Sequence, residues 1–100
     1  TVFALYADPA CSQTTLESHL LETLETDAYT YSARDEYPAP VYLVHDRERR
    51  TVFRIVVREG RLEVHVLPNT DSETIRTVYE RLSERDDVTW TVECRTSRSN

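Results

Sequence analysis

One hundred residues, 39% of them apolar, suffice for one domain on a single core and are too few for two, which excludes multidomain enzymes. No stretch approaches the ~20 apolar residues needed to cross a bilayer, and the apolar start Val2 to Ala7 lacks a basic leader, so the expectation is a soluble, cytoplasmic chain with no membrane partner. Eighteen acidic residues against twelve basic ones give a net charge of -6, which argues against nucleic acid, and two cysteines are too few for a disulfide framework.

In chain order, Val2 to Ala7 is continuously apolar, the pattern of a strand buried on both faces. Leu16, Leu20, Leu21 and Leu24 recur at helical spacing, with Glu17, Glu22 and Glu25 expected on the wet side. Two caps suit this helix: Asp8 with Pro9 as first helical residue, or Thr14 with Glu17 completing a capping box. The first places Cys11 in the first turn, the second in a loop. Tyr29, Tyr31 and Ala33 alternate with polar residues as in a half-buried strand. Asp35 to Pro40, with two prolines, reads as a connection or edge rather than a ladder, and Val41 to His45 as the next strand.

After the charged loop Asp46 to Arg50, Phe53, Ile55 and Val57 share one face, and Leu62, Val64 and Val66 share theirs. A tight turn at Gly60 would pair the two strands as a hairpin with Arg54, Val56, Arg58, Glu63 and His65 on the opposite side. Thr70 and Glu73 form a second capping box ahead of Ile75, Val78, Tyr79 and Leu82, spaced as an amphipathic helix. Val88, Trp90, Val92 and Cys94 then alternate with polar residues in a last strand. The order is β-α-β-β-β-β-α-β. Each helix has one apolar stripe, so an α+β fold is expected: an antiparallel sheet of five to six strands with both helices on one face. Residues 1–94 form the domain and 95–100 a polar tail.

Three resemblances attach to this reading. All twelve basic residues are arginine, and with the carboxylate excess this composition resembles that of salt-loving archaeal proteins, which implies a fold loosened by self-repulsion at low salt. The element order, with Tyr37-Pro38-Ala39-Pro40-Val41 and the segments from Thr51-Val52-Phe53 through Gly60-Arg61-Leu62-Glu63-Val64, resembles one repeat of the TATA-box-binding protein family over Phe3 to about Leu82. It implies a fold and carries over no binding residue. Tyr6-Ala7-Asp8-Pro9-Ala10-Cys11-Ser12, followed by Thr15-Leu16-Glu17, resembles the nucleophile loop of thioredoxin-fold arsenate reductases, which implies Cys11 as a catalytic nucleophile.

The candidate residues follow. Cys11 is the nucleophile of a thiol-dependent redox or reductase reading, set against its reading as a small buried filler. Arg54, Arg58, Arg61 and His65 are the binding candidates, because guanidinium groups on an open sheet suit carboxylate or phosphate. The plain alternative pairs Arg54 and Arg58 with Glu63 across the strands. Val52, Val56, Tyr42 or Val44, and Leu67 would share that face. A mixed apolar and cationic sheet surface implies association, with a homodimer first and a protein or anionic partner beside it; a nucleic-acid module on the same face is the third reading. His45, Asp46 and His65 could meet across strands, yet no histidine shows metal-ligand spacing, and with glycine confined to Gly60 there is no phosphate loop. No metal and no cofactor is expected.

Overall fold

A computed structural model describes residues 2–36, 39–67, 70–84 and 88–95. The elements are β1 (Val2–Asp8), α1 (Gln13–Leu24), β2 (Tyr29–Glu36), β3 (Ala39–Asp46), β4 (Thr51–Arg58), β5 (Arg61–Val66), α2 (Ser72–Ser83) and β6 (Thr89–Arg95). The six strands form one sheet in the order β2-β3-β4-β5-β1-β6, with antiparallel neighbours throughout. The fold is α+β, in the element order read from the sequence.

The connections account for the layering. The crossover from β1 through α1 leads to β2 at one edge, and the meander β2 to β5 walks back to β1. The crossover through α2 then steps over β1 to β6. The launching strands point in opposite directions and the crossovers travel in opposite directions, so a common hand lays both helices on one face. Leu16, Leu20 and Leu24 of α1 and Val78 and Leu82 of α2 join a core floored by Leu5, Tyr42, Val44, Phe53, Ile55, Val57, Leu62, Val64 and Trp90. At ~25 cal/mol per Å² of apolar surface removed from water, this layer is the main source of stability.

Several local expectations need correction. The cap of α1 is Ser12, whose Oγ accepts from Thr15 N–H; neither Asp8 nor Thr14 fills that role. The cap of α2 is Asp71, accepting from Glu73 N–H, in place of Thr70. Thr70 is already engaged: its hydroxyl donates to Val52 C=O and accepts from Leu67 N–H. Asp35 and Glu36 pair with Pro40 and Ala39, so the ladder enters the proline segment; Pro40 precedes Val41, where pairing to β4 begins, so its missing N–H is tolerated. Tyr37 and Pro38 lie outside the described residues. Arg95 ends β6, leaving only 96–100 of the expected tail, also outside them. Glu17 reaches the sheet, accepting from Tyr42 Oη at 2.6 Å.

At one end of the core, Asp46 is buried on the helix side. It accepts from Glu48 N–H (3.0 Å), Arg49 N–H (3.2 Å), the Arg49 guanidinium (3.3 Å) and the Thr74 hydroxyl (3.0 Å), locking the turn Arg47 to Arg50 to α2. Burial alone would push this carboxyl up, but those donors hold it below the ordinary carboxylate range.

Candidate functional site

Among the described residues no helix covers the second face of the sheet, and the strand register writes its side chains as rows. One row runs Leu43, Arg54, His65, Val2, Arg95; the next runs Val41, Val56, Glu63, Ala4, Glu93; a third holds Arg58, Arg61, Tyr6 and Thr91. All four candidate binding residues therefore share one surface. Among these rows four arginines face two glutamates, whereas Glu22, Glu25, Asp27, Glu73, Glu80 and Glu84 are exposed on or beside the helices. Those six carboxylates outnumber Arg76 and Arg81 on the helices, so among the described residues the helix side is net acidic.

Glu63 organises the cationic half. The two-residue turn Glu59-Gly60, with Gly60 at a φ of 76° that favours glycine, sets Arg58 directly opposite Arg61. Arg58 Nε donates to Glu63 Oε1 and Arg61 Nε to Oε2, both at 2.9 Å. Burial would raise the Glu63 carboxyl, but these two donors and their charges hold it below its ordinary value. Each arginine donates through Nε here, and its terminal guanidinium nitrogens make no hydrogen bond with a described residue. His65 Nε2 lies 3.6 Å from Glu63 Oε1 and has no hydrogen-bond partner among the described residues. Arg95 is held by Glu93 (3.0 Å) and donates to Tyr6 Oη (2.8 Å).

Arg54 departs from expectation. The sequence pairs it with Glu63; the register places Val56, not Arg54, opposite Glu63. Arg54 is exposed and makes no hydrogen bond or ion pair with a described residue, while Arg61 takes the place beside Glu63. The apolar neighbours also shift. Tyr42 and Val44 turn toward the helices and are buried, and Val41 and Leu43 stand on the open face instead, Leu43 at 44% exposure beside Arg54. Val52 and Val56 are half-buried on this face, as expected. The surface thus sets a guanidinium without a partner among the described residues against an apolar strip.

The other candidates separate from it. Cys11 precedes the cap of α1, so it is in a loop and not in the helix's first turn. Its thiol is directed at Pro9 C=O (3.4 Å), its own carbonyl accepts from Gly60 N–H (3.1 Å), and it packs partly buried against the core. His45 stands opposite Val52, two strands from His65, and Asp46 faces the helices, so the three do not meet. Among the described residues no three His, Cys, Asp or Glu side chains group as metal ligands.

One feature has no counterpart in the sequence reading. An apolar groove of about 390 Å³ opens on the helix side between α2 and the β1–β6 margin, lined by Phe3, Leu5, Val66, Ile75, Tyr79 and Val92 among others. The clue was the outer position of Val92, which local alternation cannot reveal. No family model matches the chain, and no curated protein or solved structure matches it either. Among the described residues, no helix is long and apolar enough to cross a membrane.

Proposed function

We propose that the protein works by association and not by catalysis: its open sheet face docks an anionic, partly apolar protein partner, and the chain itself is a homodimer. The observation that carries this reading is Arg54, an exposed guanidinium with no described partner, standing between Leu43 and His65 and two rows from Arg58 and Arg61, whose terminal nitrogens make no hydrogen bond with a described residue. Guanidinium forks bind carboxylates in two-point contacts, and the strip Val41, Leu43, Val52 and Val56 supplies apolar area beside them. Electrostatics adds direction, because an acidic partner is repelled by the helix side and attracted to the sheet.

A fluorescent peptide of alternating glutamate and leucine is the probe, titrated against the protein by anisotropy at the lowest salt that keeps it folded. Arg54→Glu weakens binding at least tenfold, and Arg76→Glu on the helix side leaves it unchanged. A peptide that fails to bind, or that binds both variants equally, contradicts the reading. Preferential retention of a DNA duplex on the same face would transfer the surface to nucleic acid.

A further inference from the structure

We infer that the homodimer forms through the outer edge of β6, in the register that sets Val92 opposite Val92 of the second copy. The inference rests on the self-association reading above and assigns its surface. Stacking two open faces would oppose two surfaces on which arginines outnumber glutamates four to two, an unfavourable like-charge balance. Edge pairing avoids this. Of the two sheet edges, β2 and β6, β2 ends in the charged run Arg34-Asp35-Glu36, the kind of residue that blunts an edge. β6 has no proline, its two charges Glu93 and Arg95 pair with each other at 3.0 Å, and it is exposed at every position but Trp90, with Val92 44% exposed at its centre. A bare edge strand carries a row of unpaired N–H and C=O groups that a second strand satisfies.

Self-complementarity fixes the register. β6 runs from Thr89 to Arg95, so Val92 is its midpoint, and only antiparallel pairing centred there matches all seven residues. Thr91 then stands across from Glu93, Thr89 from Arg95 and Trp90 from Cys94, with no like charges opposed. The two-fold axis is normal to the sheet. Both helix layers consequently lie on one side, the two apolar grooves meet across the seam, and the two arginine faces join into one twelve-strand surface.

The test combines mass with site-directed crosslinking. Wild-type protein at high salt has a solution mass of about twice 11.7 kDa. In a background with Cys11→Ser and Cys94→Ser, Val92→Cys forms an intermolecular disulfide under mild oxidation, because opposed residues of an antiparallel pair have Cα atoms about 4.5–5.5 Å apart, within disulfide reach. Ser32→Cys on the β2 edge, in the same background, does not. A dimeric mass with crosslinking at Ser32→Cys, or at neither position, overturns the β6 assignment and leaves self-association standing. A monomeric mass across the accessible concentration range overturns both.

Discussion

Arg54 faces His65 directly across β4 and β5, yet it stays outside the network that Glu63 builds one row away. The difference separates a structural cation from an available one. Arg58 and Arg61 are opposed like charges that Glu63 bridges, and removing the bridge leaves them adjacent and unneutralised. Glu63→Ala therefore lowers stability by about 1–3 kcal/mol in denaturant unfolding. Arg54→Ala, which breaks no hydrogen bond or ion pair with a described residue, stays within about 0.5 kcal/mol of wild type. Equal losses in the two variants would show that Arg54 is structural.

Acid sensitivity follows from Asp46 and Glu63. Both carboxyls titrate below their ordinary values in the folded protein because hydrogen-bond donors favour the charged form. Groups with depressed folded values stabilise the fold at pH above their unfolded values, and the contribution is lost as pH falls through the folded ones. The unfolding midpoint should be level near neutrality and fall below about pH 4. Asp46→Asn and Glu63→Gln each lower the neutral midpoint and flatten the acid fall. An unchanged slope in both variants would remove these groups as its source.

Salt should act in the stabilising direction. With a net charge of -6 and exposed carboxylates gathered on and beside the helices, self-repulsion opposes the compact state. Raising ionic strength from about 0.1 M to about 1 M shortens the Debye length from ~10 Å to ~3 Å. Thermal unfolding should shift upward over that range. A downward shift would mean that the arginine–glutamate pairs outweigh the repulsion.

The hairpin shows how far the sequence could be read. Phe53, Ile55 and Val57 against Leu62, Val64 and Val66 alternate cleanly, and the turn at Gly60 follows from its conformation, so the fold class and the common helix side were legible. β3 was not resolved in the same way: Val41, Tyr42, Leu43 and Val44 are all apolar, and a continuous run does not say which face is inward. Arg58 was legible as a partner of Glu63; that Arg54 is not a second one depends on register, which a single residue of turn length changes. The caps failed for a related reason. Thr14, Ser12 and Asp8 are competing acceptors within seven positions, and the winner is set by where β4 and the Glu59-Gly60 turn anchor the loop through Gln13 and Cys11. The groove along β6 arises from helix placement, which no local pattern encodes.

The central claim is that the open face carries the docking site. Its most direct test is amide chemical-shift mapping of the ¹⁵N-labelled protein titrated with the glutamate–leucine peptide. The account predicts perturbations clustered on β3, β4 and β5 around Leu43, Arg54 and His65, absent in Arg54→Glu. Perturbations confined to α1 and α2, or to the groove beside Val92, would contradict it.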